Sequence, residues 1–160
     1  METIVIINEN HRLLPEQEET LLKKTCSFAN IRGGVCNLWG EGAFSCQAEN
    51  CPLLSFLRVP AKGWTREEMD QIAKRIHKEA LQRRKERKEG RTNVVFVSPV
   101  PYLLSLLTFQ LGGYYGEDAV VPPFRVFLFH NDRREKKELP NGKIIFTIPP
   151  EGWELVEVGG

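Results

Sequence analysis

Residues 93–112 read Asn-Val-Val-Phe-Val-Ser-Pro-Val-Pro-Tyr-Leu-Leu-Ser-Leu-Leu-Thr-Phe-Gln-Leu-Gly. Asn93 to Val97 is continuous in apolar character, as a central strand covered on both faces requires. Ser98-Pro99-Val100-Pro101 is a tight turn, and Tyr102 to Leu111 is an apolar helix stopped by Gly112-Gly113. A buried strand turning straight into a helix is half of a β-α-β unit. The flanking sequence supplies further units. Thr3 to Ile7 (TIVII) is a short buried strand, followed by a loop over Asn8-Glu9-Asn10-His11 and a helix opened by Pro15. Glu16, Glu18 and Glu19 near its start and Lys23 and Lys24 near its end suit the helix dipole. Leu53 to Val59 is a second strand, ended by Pro60.

Thr65-Arg66-Glu67-Glu68 is a capping box, and Met69, Ile72, Ala73, Ile76, Ala80 and Leu81 follow at three- and four-residue spacing. From Gln82 to Glu89 apolar side chains vanish, so that helix end projects into solvent before Gly90 stops it. His77, on the same helix, reads as structural or exposed. Phe124 to Phe129 is a fourth strand, and Lys143 to Ile148 and Trp153 to Val158 are late strands after the turn signal Pro140-Asn141-Gly142. The order predicts an α/β, Rossmann-like, mostly parallel sheet flanked by helices, with a strand-rich antiparallel C-terminal tail. It is read as one domain over 1–160 with an irregular cysteine-containing insertion at about 26–51.

At 160 residues, with 41% hydrophobic and 27% charged residues, the chain suits one globular domain rather than disorder. The formal net charge of +1 excludes a broad polyanion surface, so a nucleic-acid ligand must be small or held locally. Positive charge gathers at 82–91 and 133–137. METIVII lacks the basic start and long apolar core of a signal peptide, and no apolar run is long enough to span a bilayer, so a cytoplasmic chain is expected. Cys26, Cys36, Cys46 and Cys51 include no C-x-x-C pair. Reduced or buried thiols are the leading reading, with a zinc site and a disulfide as the alternatives, and no metal site is assigned. P-loop, G-x-G-x-x-G, G-x-S-x-G and H-E-x-x-H motifs are absent, so common nucleotide hydrolysis, hydride transfer and zinc proteolysis lack support.

Ligands of open α/β sheets lie at the carboxyl ends of the strands, where strand order reverses. Three polar turns fall there: Asn8 to His11, Ser98 to Tyr102, and His130 to Lys137. The helix start after Ser98 favours a phosphate, although Pro101 removes one donor. Arg133, Arg134, Lys136 and Lys137 supply cations, unless that run is a solvated hairpin arm. Taken alone, His11 suits surface or capping duty and the Ser98 turn a plain connection.

At these turns the chain resembles the small CRISPR-associated ring nucleases of type III systems, relatives of the CARF domains that bind cyclic oligoadenylate. TIVII with Asn10-His11-Arg12-Leu13-Leu14-Pro15-Glu16-Gln17 is similar to that group's strand followed by Ser-His-x-Leu-Thr-x-Glu-Gln. Residues 93–112 are similar to its central strand, ligand loop and helix. Arg134-Glu135 followed by Glu138-Leu139-Pro140-Asn141-Gly142-Lys143 is similar to its late Arg-Glu and Leu-Pro-x-Gly turn. Asn10 and Leu14 depart from the first motif, and Ser98-Pro99-Val100-Pro101 replaces a Gly-bearing loop.

The resemblance implies a homodimer that holds cyclic tetra-adenylate across its two-fold axis and cleaves it without metal or cofactor, a ribose 2′-OH attacking its own phosphodiester. His11 would move protons, and Arg133 or Arg134 would stabilise the phosphate. Asn8, Asn10, Ser98, Pro99, Val100, Tyr102, His130, Asn131 and Lys136 would line the ligand site, with Tyr102 stacking on a base. Two other expectations stand beside it: a non-catalytic protein that sequesters the same messenger, and a small α/β interaction protein using the helix end at 82–89. Long nucleic acid and membrane are not expected partners.

Overall fold

A computed structural model describes residues 3–28, 47–87, 91–113 and 122–159. Strands β1 (Thr3–Asn8), β2 (Leu54–Val59), β3 (Thr92–Phe96), β4 (Phe124–His130) and β7 (Glu154–Val158) form one sheet in the order β2-β1-β3-β4-β7. The first four are parallel and β7 runs antiparallel on the β4 edge. Helices α1 (Pro15–Phe28), α2 (Arg66–Arg87) and α3 (Pro101–Gly113) connect them. Strands β5 (Glu135–Glu138) and β6 (Ile144–Thr147) form a separate antiparallel hairpin. This is the α/β, Rossmann-like, mostly parallel architecture expected, with its antiparallel C-terminal part. Among the described residues no helix is long and apolar enough to cross a membrane.

Strand alternation divides the core. Ile4 and Ile6 of β1, Val94 and Phe96 of β3, and Val126 of β4 pack with Ala73, Ile76 and Ala80 of α2 and Leu103 and Leu107 of α3. Val5, Val95, Phe127 and Phe129 point the other way and pack with Leu21 of α1 and Ala48. Register keeps like with like: Ile4 lies opposite Val94, and Val94 opposite Val126. One residue of slip in β1 would turn Ile4 and Ile6 to the wrong layer, so the register is strongly specified.

The helices follow their sequence signals. Thr65 and Glu68 form both halves of the capping box: Glu68 N–H donates to Thr65 Oγ1 at 3.2 Å, and Thr65 N–H donates to Glu68 Oε2 at 2.7 Å. Helix α3 starts one residue earlier than expected, at Pro101, because the first helical position needs no N–H. Ser105 and Thr108, which interrupt its apolar run, donate back to the carbonyls of Pro101 and Leu104 at 2.9 Å each. His77, read as structural or exposed, packs its ring edge-on to Phe124.

Three expectations need correction. Helix α1 extends through Thr25 and Cys26, so the insertion cannot begin at 26; residues 29–46, with Cys36 and Cys46, lie outside the described residues, as does the stop at Gly90. The end of α2 is not wholly solvated: Gln82, Lys85 and Glu86 are exposed, but Arg83 and Arg84 are half-buried. Glu16 does more than complement the helix dipole. Its carboxylate accepts the N–H groups of Gly152 and Trp153 at 3.0 Å, pinning the entry of β7 to the first turn of α1.

Candidate functional site at the sheet switch point

Strand order reverses between β1 and β3. From β1 the chain crosses to β2 on one side, and from β3 it crosses to β4 on the other. The turns leaving β1 and β3 therefore diverge and open a crevice at the carboxyl edge. Asn8 to His11 and Ser98 to Tyr102 meet there.

Ser98 joins them. The N–H groups of Val97 and Ser98 both donate to the carbonyl of Ile6, at 2.9 and 3.3 Å, extending the β1–β3 pairing past β3. The Ser98 side chain, 1% exposed, turns under the Asn8 turn. Its Oγ accepts the Asn8 N–H at 2.9 Å and lies 3.1 Å from His11 Nδ1. His11 N–H donates in turn to the Asn8 carbonyl at 2.9 Å. Among the described residues, the hydroxyl hydrogen of Ser98 has one acceptor in reach, Nδ1 of His11. That assignment places the proton of the neutral ring on Nε2, so Nε2 is a donor.

Above this pair lies a cleft of about 500 Å³, lined by Asn8, Glu9, Asn10 and His11, by Pro99 to Tyr102, and by Val59, Pro60, Ala61, Gly63, Trp64 and Met69. Its volume lies in the range of small-molecule sites, and its make-up, apolar and aromatic walls with a few amide and imidazole groups, is what such sites use. The third wall is fixed from β1. Glu9 N–H donates to the Val59 carbonyl at 2.8 Å, and Glu9 Oε1 accepts the Ala61 N–H at 2.7 Å. Gly63 closes the loop with a φ of 76°, a conformation that favours glycine.

Tyr102 is held from α2: its hydroxyl donates to Asp70 Oδ1 at 3.0 Å and accepts from Arg66 Nε at 3.1 Å. The Tyr102 hydrogen bond, aided by the charge of Asp70, raises the pKa of Arg66 above its ordinary value. A second cleft of about 380 Å³ opens on the other side of His11, where Arg12 and Arg58 share the lining with Glu18 and Glu49.

The third expected turn does not join the cleft. Asn131, 6% exposed, donates to the carbonyls of Pro149 and Glu151 at 3.3 and 2.9 Å and accepts the Arg133 N–H at 3.0 Å. Arg134 Nη1 donates to the carbonyls of Asn131 and Arg133 at 3.1 and 2.7 Å. The Arg133 guanidinium lies so close over Gly152 that a Cβ there would stand 2.7 Å from Nε. These groups tie the end of β4 to the loop before β7. His130 lies on β4 opposite Glu154, and Lys136 on β5 opposite Phe146, both exposed. None of His130, Asn131, Arg133, Arg134 and Lys136 lines either cleft beside His11. The run 133–137 takes the hairpin-arm reading, since β5 begins at Glu135.

The sequence left unassigned Glu9, Trp64 and Met69 among the lining residues, and Arg66 and Asp70, which hold Tyr102 from α2. The available signal was an aromatic residue just before a capping box at the carboxyl end of a strand. Among the described residues no group of three His, Cys, Asp or Glu side chains is placed to hold a metal ion. No family model matches the chain, and neither a curated protein nor a solved structure matches it.

Proposed function

We propose that this chain is a ring nuclease of type III CRISPR signalling, which binds a cyclic oligoadenylate, cyclic tetra-adenylate above others, across the two-fold axis of a homodimer and linearises it. The carrying observation is the His11–Ser98 pair beneath an open, aromatic-walled cleft at the switch point. A two-fold dimer suits a ring ligand, because each half-site reads half of the ring. In the reaction a ribose 2′-oxygen attacks the adjacent phosphorus and the bond to the 5′-oxygen breaks. The 2′-OH proton leaves to water, the 5′-oxygen takes a proton from water, and His11 Nε2–H donates a hydrogen bond to the charge that develops on the phosphate. The products are linear and end in a 2′,3′-cyclic phosphate. With the proton of the neutral ring on Nε2, His11 suits that donor role. Asn8 and Asn10 supply amides for base or ribose edges, and Tyr102 an aromatic face. The reading carries a cytoplasmic location with it.

Sequestration without cleavage is the second reading, favoured by one observation: Arg134 is hydrogen-bonded to backbone and Arg133 lies over Gly152, and neither lines the cleft. Radiolabelled cyclic tetra-adenylate incubated with the pure protein in EDTA separates the two. Linear products support the nuclease, and a stable complex without cleavage supports sequestration. Neither result leaves the α/β interaction protein as the reading.

A further inference from the structure

The cleft lacks the cations expected of it, and Arg66, which is not part of its lining, is hydrogen-bonded to one lining residue, Tyr102. Arg66, in the first turn of α2, donates through Nε to the hydroxyl of the cleft residue Tyr102, with its guanidinium carbon 5.8 Å from the ring centroid. That bond uses one of five guanidinium N–H groups. Arg58, Arg75, Arg83 and Arg125 each pair with a glutamate, whereas Arg66 forms no ion pair among the described residues. The carboxylate nearest its anchor, Asp70, instead accepts the Tyr102 hydroxyl. Arg66 is thus oriented by its hydrogen bond to Tyr102, with the charges of Asp70 and Glu67 acting on it and its remaining N–H groups in no ion pair among the described residues. A guanidinium fork matches two oxygens of a phosphate. Arg12 is the competing cation, but it lines the other cleft with two carboxylates, Glu18 and Glu49, whereas the switch-point cleft has Glu9 in its lining, engaged by the Ala61 N–H.

The geometry points to Arg66 as the phosphate-binding cation of the switch-point cleft, gripping a nucleotide phosphate while the base lies along the wall made by Trp64, Met69 and Tyr102. The inference deepens the nucleotide-binding reading above and rests on its cleft, but not on the ring form of the ligand or on cleavage. It also explains why the loop before α2 is braced by Glu9: Trp64 and Arg66 sit on either side of the Thr65 cap, so bracing the loop positions both.

Calorimetric titration of the intact protein with AMP and with adenosine tests it. The wild type is expected to prefer AMP by about tenfold, the worth of one charge-assisted contact. Arg66→Ala should bring the two affinities together, and Tyr102→Phe, which keeps the ring but removes the anchor, should shrink the preference. Arg75→Ala, on the same helix and paired with Glu79, should leave it unchanged. Circular dichroism of each variant reports folding. An unchanged AMP preference in Arg66→Ala, its loss in Arg12→Ala instead, or no preference in the wild type overturns the assignment. Binding of AMP without binding of cyclic tetra-adenylate sinks the ring-nuclease reading and leaves this one standing.

Discussion

His11 and Ser98 are the residues on which the account turns. Under the ring-nuclease reading, His11→Ala should slow cleavage by about 100-fold or more while changing ligand affinity little. Single-turnover rates beside equilibrium binding make that comparison, and an equal rate in the variant removes His11 from the chemistry. Ser98→Ala should cost about 1–3 kcal/mol of stability in urea titration, because it strands the Asn8 N–H that Oγ accepts. It should also release the His11 tautomer, which ring ¹⁵N shifts report; a wild-type ring with its proton on Nδ1 would contradict the assignment. At this scale the sequence was half legible. Position at a strand end marked the turns that hold His11, Ser98 and Tyr102, and the resemblance alone gave those residues roles. Arg133 and Arg134 carried the right charge, but the carbonyls that engage Arg134 belong to its own turn, and no charge count shows which way a guanidinium is turned. Arg66 was hidden by the capping box, which gives its segment a complete structural explanation.

Among the elements, the ends of helices and the sheet edge are the points most open to test. Thr65→Ala should destabilise by about 1 kcal/mol through loss of the cap at α2. The same variant bears on the site, since α2 carries Arg66 and Asp70. Strand β7 is tied to β4 by the Arg125–Glu157 pair, whose Nε–Oε1 bond is 2.8 Å. The hydrogen bond from Arg125 lowers the pKa of Glu157 below the usual carboxylate value. Stability from this pair is therefore fully present above the unfolded carboxylate pKa and is lost as pH falls through the lower folded value. Protection of the β7 amides, taken relative to the intrinsic exchange rate at each pH, should fall in that acidic window in the wild type and lose that pH dependence in Glu157→Gln; an identical profile in both would show that the pair does not hold the edge. Helix periods, caps and apolar strands were legible because each is written within a few adjacent residues. Strand β5, Glu-Lys-Lys-Glu, was not, because its hairpin packs no face against the core. The grip of Glu16 on Gly152 and Trp153 spans the chain, and only the tertiary fold shows it.

For the whole molecule, the strand order β2-β1-β3-β4-β7 does most to determine where function resides. It separates the turns after β1 and β3 and makes the crevice that local sequence can suggest but not measure. The third turn shares the same edge yet is committed to the loop before β7. The alternation of strands and helices carried the fold class, whereas the width of the cleft and its third wall depend on how α2 leans against α3. The central claim is that this crevice, and not the basic turn after β4, takes the ligand. Backbone amide shift mapping with cyclic tetra-adenylate tests it most directly. The account predicts perturbations at Asn8 to His11, Ala61 to Trp64, and Ser98 with Val100 and Tyr102, with residues 131–137 unmoved. Perturbations confined to 131–137, or none at saturating ligand, would contradict it.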